Sequence, residues 1–226
     1  MVAAVVFDLD GVLIDSERVW EEVRRAFVAD GGGRWMPDTQ RRLMGMSTSE
    51  WARYLSEELG VGMAPDDVAR GVVERMNERY ASDLPLMPGA VEAVRRMGSR
   101  WTLGLASSSP PGIIRMVLER AGLAGAFGAV ASSDEVAAGK PASDVYLLAA
   151  ARLGVAAASS VAIEDSSNGL RSASAAGYRV VAIPQPAYPP DPEALDLASV
   201  RLDSLDDLTP EVVEGLVRRT PLQGGG

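Results

Sequence analysis

Two aspartates stand two residues apart, directly after a run of apolar residues near the start of the chain. The run from Val2 to Phe7 leads into Asp8 and Asp10, and Gly11 follows them. Residues at this spacing on an extended chain point to the same side, so both carboxylates can face one cavity. Two carboxylates at the end of a buried strand repel each other and lose solvation, and a bound cation offsets that cost. The pattern therefore predicts an acidic, cation-binding pair at a strand end.

Composition excludes several kinds of chemistry. The 226 residues contain no histidine and no cysteine, which rules out a Ser-His-Asp triad, a histidine-ligated zinc site, disulfides and a cysteine nucleophile. The net charge of −9 argues against nucleic acid or an anionic membrane as a partner. The chain has neither an apolar run of membrane-spanning length nor a basic leader, so we expect a cytoplasmic protein.

The 22 basic residues include a single lysine, Lys140. A lone lysine in a chain that otherwise uses arginine indicates a site that needs a compact point charge rather than a planar fork. The arginines are expected to be mostly surface charges. Arg24 and Arg25, for example, fall with Glu21 and Glu22 opposite the apolar stripe of the first helical segment.

The rest of the chain divides into a helical stretch and a stretch of alternating strands and helices. Residues 16–84 show amphipathic helical patterns and no convincing strand, whereas strands and helices alternate from residue 85 onward. This order predicts a doubly wound parallel sheet, an α/β core of residues 1–15 plus 85–226, with an all-helical cap domain of residues 16–84 inserted after the first strand. The tail at 221–226 is expected to be disordered.

Polar residues follow the other predicted strands as well, and they are Ser107, Ser108, Glu164 and Asp165. Lys140 lies in a loop before a helix. The carboxyl ends of parallel strands meet at one edge of the sheet, where such folds bind their ligands. These separated positions are therefore expected to converge on Asp8.

This combination of residues suits phosphoryl transfer. A carboxylate such as Asp8 is ionised at neutral pH and can attack phosphorus without a general base. At an effective dielectric near 20, two like unit charges about 3.5 Å apart repel by roughly 5 kcal/mol, so a divalent ion and Lys140 are needed to offset the approach. Magnesium suits oxygen ligands combined with phosphate. Asp10 can protonate the leaving alcohol and then activate water, while Ser107 and the amides at the following helix N-terminus hold phosphate oxygens.

Four motifs follow one another along the chain: Phe7-Asp-Leu-Asp-Gly-Val-Leu-Ile-Asp15, Leu105-Ala-Ser-Ser-Ser109, Gly139-Lys-Pro141 with Asp144, and Ile163-Glu-Asp-Ser-Ser-Asn-Gly169. In this order they resemble the motifs of the haloacid dehalogenase (HAD) superfamily, in the subgroup of β-phosphoglucomutase and small sugar-phosphate phosphatases with a helical cap. The resemblance spans nearly the whole chain. It implies a Rossmann-like core, Mg²⁺ as cofactor and an aspartyl-phosphate intermediate.

The resemblance also implies a role for each matching residue. Asp8 would be the nucleophile and a metal ligand, and Asp10 would be the acid/base and a metal ligand through its carbonyl oxygen. Ser107 and the Ser108 amide would bind phosphate, and Lys140 would neutralise charge. Asp165 would bind the metal, and Glu164 would bind it directly or through water. The candidate substrate contacts from the cap are Glu17, Trp20, Gly45, Met46 and Thr48. Asn168 and Gly169 are expected to be structural residues that cap a helix.

The mutases of this subgroup carry a histidine near the position of Trp20, and an arginine near Thr48 that holds a second phosphate. Both features are missing here. We therefore favour a phosphatase of a small phosphorylated metabolite, a sugar or sugar-alcohol phosphate, over a phosphosugar mutase. We expect the protein to be a monomer. Two further alternatives are a receiver-like phospho-acceptor domain, against which the helical insert and Asp10 argue, and a non-catalytic sugar-phosphate binder, against which the complete set of acidic residues and Lys140 argues.

Overall fold

The structure, a computed structural model, describes residues 1–218. The tail predicted to be disordered, residues 221–226, lies outside the described residues. The strands of the described part are β1 (Ala4–Phe7), β2 (Thr102–Ser107), β3 (Ala129–Ser132), β4 (Val161–Glu164), β5 (Arg179–Ala182) and β6 (Val200–Arg201). They pair in parallel in the order β3-β2-β1-β4-β5-β6. The predicted doubly wound parallel sheet is therefore confirmed.

The α-helices of the described residues alternate with these strands after β2 and form a continuous group before it. They are α1 (Glu17–Asp30), α2 (Thr39–Leu43), α3 (Thr48–Arg53), α4 (Pro65–Ser82), α5 (Ala90–Gly98), α6 (Pro111–Arg120), α7 (Asp144–Leu153), α8 (Ser167–Ala175), α9 (Pro192–Leu195) and α10 (Pro210–Arg218). A π-helical turn, Tyr54–Glu58, continues α3, and short 3-10 turns cover Ser133–Glu135, Ala157–Ser159 and Leu205–Asp207. Within residues 1–218, no helix combines the length and apolar character needed to cross a membrane.

Strand β1 lies at the centre of the sheet and is buried along its whole length. Such burial on both faces is typical of parallel sheets and explains the continuous apolar run. Side chains alternate along the strand. Val5 and Phe7 belong to the core cluster that includes α5, α6 and the helices before β2, whereas Val6 belongs to the cluster formed with α7 and α8.

The strand order reverses next to β1, because β2 and β3 lie on one side of it and β4 to β6 on the other. Phe7 is in register with Leu105 of β2 and with Ile163 of β4. The residues that follow these three positions therefore emerge side by side at the carboxyl edge. This is the switch point at which doubly wound sheets bind ligands.

The stretch between β1 and β2 begins with helices α1 to α4, as predicted, and we refer to residues 17–82 as the helical insert. Helices α1 and α3 both pack against α4. The indole rings of Trp20 and Trp51 contact each other with centroids 6.2 Å apart, and both side chains are buried. Division of the chain into two domains stays a prediction.

Candidate active site

Three buried carboxylates meet where β1 and β4 end. Asp8, Glu164 and Asp165 each offer an oxygen, and these oxygens lie within 4.8 Å of one another. The backbone amide of Asp8 donates to the carbonyl oxygen of Ile163 at 3.0 Å, which fixes the two strand ends against each other. The pairing of adjacent parallel strands thus brings together acids that are far apart in sequence. A group of this kind could hold a metal ion.

The carboxylate of Asp165 is the group in this cluster that most needs a cation as a partner. Both of its oxygens are buried and have no hydrogen-bond partner among the described residues. Burial raises the pKa of Asp165, and the nearby Glu164 and Asp8 raise it further. Burial also raises the pKa of Asp8, although Lys140 opposes that effect. An oxygen-seeking divalent ion would supply the missing partner and favour the ionised forms.

Gly11 leaves the space that Asp165 occupies. Its φ of +79° falls in the left-handed region, and a Cβ built there would lie 1.9 Å from Oδ2 of Asp165. No side chain fits at this distance, and the backbone conformation itself favours glycine. The glycine that follows the two aspartates is therefore required by the packing of the acidic cluster.

Lys140 provides the positive charge of the site. Its Nζ lies 2.9 Å from Oδ1 of Asp8 and 2.6 Å from Oε1 of Glu164, and it donates to the carbonyl oxygen of Ala106 at 3.1 Å. Burial opposes the charge on Lys140, but Asp8 and Glu164 outweigh burial, and the pKa is raised. Lys140 is therefore a fixed cation beside the Asp8 carboxylate.

Glu164 uses both oxygens within the protein. Oε1 accepts hydrogen bonds from Lys140 and, at 2.8 Å, from the hydroxyl of Tyr146. Oε2 accepts from the backbone amide of Asp165 at 3.1 Å. No sequence pattern distinguished Tyr146, because it lies on a helix as an ordinary core aromatic residue. Glu164 therefore orients Lys140 and the chain at Asp165.

Asp10 has different surroundings from Asp8. Its Oδ1 accepts hydrogen bonds from the Ser16 hydroxyl at 2.7 Å and the Trp20 indole nitrogen at 3.1 Å. Its Oδ2 accepts from the Ser109 hydroxyl at 2.8 Å and the Ser107 hydroxyl at 3.2 Å. Four neutral donors thus hold this carboxylate. Ser16 and Ser109 were not among the predicted site residues, although Ser109 ends the second motif and Ser16 directly follows the first.

The serines after β2 divide between the core and the insert. Ser107 is buried, and its Oγ also accepts from the backbone amide of Ser109 at 2.9 Å. The hydroxyl of Ser108 instead donates to the carbonyl oxygen of Gly45 in the helical insert at 2.8 Å. Ser107 therefore faces Asp10, while Ser108 contacts the loop that covers the site.

Residues 44–48 of the insert rest on the core at two further points. The side-chain amide of Asn168 donates to the Met44 carbonyl oxygen at 2.7 Å, and the Thr48 amide donates to Oδ1 of Asp134 at 2.8 Å. Gly45 has a φ of +87°, and a Cβ there would lie 2.8 Å from Cβ of Asn168. The loop therefore approaches the core closely, and glycine permits the approach.

The expectation that Asn168 caps a helix is wrong. Ser166 caps α8, because its Oγ accepts a hydrogen bond from the Gly169 amide at 3.1 Å. Asn168 lies in the first turn of α8 and points toward the insert instead. Both Asn and Ser favour helix starts, so the sequence alone did not separate the two roles.

A cavity of about 30 Å³ lies between the insert and the carboxyl edge of the sheet. Its lining includes Asp8, Asp10, Lys140, Ser108, Ser109, Glu17, Trp20, Arg24, Gly45, Met46 and Trp51. Four of the five candidate contacts from the insert are in this set, and Thr48 is not. The volume suffices for about one water molecule. The structure therefore represents a closed arrangement.

Arg24 is the residue that the sequence interpretation misplaced. Only 6% of it is exposed, and its guanidinium carbon lies 4.4 Å from the Trp20 ring centroid and 5.1 Å from that of Trp51. The prediction of a surface position is wrong because α1 packs against α4 and also lines the cavity, so part of its polar face is covered. Burial lowers the pKa of Arg24 to about 10.

Glu17 lies on the same helix and also lines the cavity. The side-chain amide of Gln40 donates to its Oε2 at 2.7 Å. Burial raises the pKa of Glu17 to about 7, with Asp10 adding to the effect and Arg24 opposing it. Gln40 was missed because α2 is too short to show a pattern of burial.

The doubly wound sheet carries an acidic cluster and a lysine at its switch point, and two aspartates follow its central strand. The chain belongs to the haloacid dehalogenase-like hydrolases, because the model of that family matches residues 2–177.

The relatives that match this chain include proteins named as phosphatases. Hexitol phosphatase B of Escherichia coli (strain K12) is 36% identical over 214 residues, which cover 92% of this chain and 95% of that protein. The phosphorylated carbohydrates phosphatase of Thermotoga maritima is 34% identical over 175 residues, with 77% and 81% covered. The crystal structure of CbbY from Rhodobacter sphaeroides in complex with phosphate superposes with a TM-score of 0.82 at 28% identity, covering 95% of this chain and all of that one.

Proposed function

We propose that this protein is a magnesium-dependent phosphatase that hydrolyses a sugar or sugar-alcohol monophosphate through an aspartyl-phosphate on Asp8. The observation that carries the proposal is the unpartnered carboxylate of Asp165 beside Asp8 and Lys140. A cluster with this excess of buried negative charge makes sense when a divalent cation completes it, and that cation then lets an anionic phosphate approach. The similarity to hexitol phosphatase B supports the substrate class.

Magnesium would be held by the carboxylates of Asp8 and Asp165 and by the carbonyl oxygen of Asp10, with Glu164 acting through water. When bound, it supplies the charge that lets an anionic phosphate approach. Glu164 is placed behind a water because both of its oxygens already accept hydrogen bonds from protein donors. The choice of magnesium follows from an all-oxygen donor set shared with a phosphate.

In the first half of the reaction, a carboxylate oxygen of Asp8 attacks phosphorus and the bond from phosphorus to the alcohol oxygen breaks. Lys140, 2.9 Å from Asp8, reduces the repulsion between nucleophile and phosphate. Asp10 gives its proton to the leaving alcohol oxygen. For this step the carboxyl group of Asp10 must give up some of its hydrogen bonds from the three serines and Trp20 and form one with the substrate instead.

In the second half, water attacks the phosphorus of the aspartyl-phosphate. Asp10 takes the proton of that water, the bond from phosphorus to Asp8 breaks, and inorganic phosphate leaves. The helical insert acts as a cap that closes over the reacting groups through residues 44–48. This closed arrangement keeps the cavity small during chemistry.

The mutase alternative is weaker. A mutase must hold a second phosphate while the sugar turns over. In the structure, Trp20 binds Asp10 and the Thr48 amide binds Asp134, so neither position presents a phosphate-binding side chain to the cavity. Hydrolysis requires only one phosphate and access for water.

The proposal is tested by measuring phosphate release from hexitol phosphates, hexose phosphates and p-nitrophenyl phosphate, with magnesium and with EDTA. We expect activity with magnesium, its loss in EDTA, and its loss in Asp8→Asn. Asp66→Asn, which removes an exposed carboxylate on α4, serves as the matched control and should retain activity. Phosphate release that survives either EDTA or Asp8→Asn would overturn the mechanism. Conversion of β-glucose 1-phosphate to glucose 6-phosphate without phosphate release would favour the mutase.

A further inference from the structure

Arg24 is a buried cation without a polar partner. Its Nε has no hydrogen-bond partner within residues 1–218, and Arg24 forms no ion pair there. Its guanidinium group lies over the rings of Trp20 and Trp51. A buried guanidinium nitrogen with an unmet N–H is costly, since burial removes the water that would accept a hydrogen bond from it. The mechanism above makes no use of it, yet it lines the cavity over the reacting groups.

Glu17 supplies an acceptor on the same wall. It lies seven residues before Arg24 on α1, hence about two turns away on a similar face. Gln40 holds Oε2, whereas Oε1 has no hydrogen bond among the described residues. Glu17 and Arg24 do not form an ion pair with each other. The cavity wall therefore offers a carboxyl oxygen of Glu17 and the guanidinium of Arg24, which do not bind each other.

We infer that Arg24 and Glu17 bind the hydroxyl groups on the carbon chain of the substrate, with Gln40 as the residue that positions Glu17. A hydroxyl group both donates and accepts, so a chain of hydroxyls satisfies a guanidinium and a carboxylate that do not pair with each other. The indole rings of Trp20 and Trp51 border the same cavity and offer apolar surface to the carbon–hydrogen edges of the chain.

The charges near Arg24 disfavour a second anionic group on the substrate. Glu17 and Asp10 both lie close enough to act electrostatically on Arg24, so a second phosphate or carboxylate would meet two acids as well as one arginine. A neutral polyhydroxy chain avoids that repulsion. The inference rests on the proposed function, because it names the part of the substrate that lies beyond the reacting phosphate.

The test compares Arg24→Met with the unsubstituted protein on a hexitol 6-phosphate and on acetyl phosphate, which has no hydroxyl chain. Loss of hydrogen bonds to a buried charge predicts that kcat/KM for the hexitol phosphate falls about 10- to 100-fold more than kcat/KM for acetyl phosphate. Arg24→Lys keeps the charge without the planar fork and should fall between the two. Arg25→Met, an exposed neighbour on α1, should leave both values unchanged.

Binding measurements keep this inference separate from the proposed catalysis. In an Asp8→Asn background, calorimetry should show that Arg24→Met weakens binding of the hexitol phosphate far more than binding of inorganic phosphate. This readout stands even if no phosphatase activity is found. An equal loss for both ligands would overturn the inference, because it would reduce Arg24 to a packing residue. A loss confined to a hexitol bisphosphate would also overturn it, because Arg24 would then bind a second anion.

Discussion

Asp8 and Asp10 are two residues apart, yet their surroundings differ in kind. Asp8 lies among two other buried acids and a lysine, whereas four neutral donors surround Asp10. Environments that differ in this way let two carboxylates take separate roles in one reaction. Asp8 fits the nucleophile and Asp10 fits the group that moves protons.

Asp10→Asn should separate the two roles. The nucleophile stays in place, but no group then activates water against the aspartyl-phosphate, so kcat should fall by about 10²- to 10⁴-fold. With acetyl phosphate, whose leaving group needs little protonation, phosphorylated protein should accumulate. Mass spectrometry of the intact protein measures it, and Asp8→Asn combined with Asp10→Asn is the control without a nucleophile. Turnover close to that of the unsubstituted protein would contradict the assignment.

Glu17 makes stability depend on pH in a defined direction. Its folded-state pKa of about 7 lies above the ordinary 4.5, so the folded protein holds this proton more tightly than the unfolded chain. The contribution of this proton to the free energy of unfolding is fully present below pH 4.5 and is lost as the pH rises through about 7. Relative to Glu17→Gln, the metal-free protein should therefore lose about 1–3 kcal/mol of unfolding free energy between about pH 5 and pH 8.

Urea unfolding at several pH values measures this difference, and other titrating groups cancel in the comparison. Glu22→Gln on the same helix, where the glutamate is exposed, gives the baseline for removing a carboxylate from α1. A difference between the protein and Glu17→Gln that stays constant with pH would show that Glu17 titrates normally.

At the scale of secondary-structure elements, the sequence predicted the features that local motifs determine. It placed Asp8, Ser107 and Asp165 at one edge of the sheet, because each ends or follows an apolar strand and parallel strands bring their ends together. Arg24 and Gln40 were missed for the opposite reason. Helical periodicity assigns one face to the core and the other to solvent, but α1 contacts both α4 and the cavity. That second contact comes from how the insert lies on the sheet, which no local pattern contains.

The hydrogen bond from Asn168 to Met44 links α8 of the core to the insert and can be removed alone. Asn168→Ala leaves the Ser166 cap of α8 intact, so the fold should keep its thermal stability within a few degrees. Loss of one hydrogen bond of about 1 kcal/mol should raise the equilibrium constant for release of residues 44–48 from the core about fivefold. Hydrogen exchange of the amides in residues 44–48 should rise accordingly. Ser174→Ala, also on α8, is the matched control, and equal exchange in both variants would show that Asn168 does not hold the loop.

At the scale of the whole molecule, the helical insert must move away from the core before substrate can bind, because a cavity of about 30 Å³ has no room for a phosphorylated sugar.

The absence of cysteine from the chain allows a direct test of this movement. Thr48 and Asp134 meet across the boundary between insert and core, with 2.8 Å from the Thr48 amide to the Asp134 carboxylate, so Thr48→Cys with Asp134→Cys places the two cysteines of the double variant on opposite sides of this boundary. Oxidation should lock the closed arrangement and lower kcat/KM for a hexitol phosphate by about tenfold or more, because the locked form excludes substrate. Reduction should restore activity, and the activity of the single variant Thr48→Cys should not change on oxidation or reduction. Full activity in the oxidised double variant would mean that substrate reaches Asp8 without movement of residues 44–48, and the cap would then have a role other than gating.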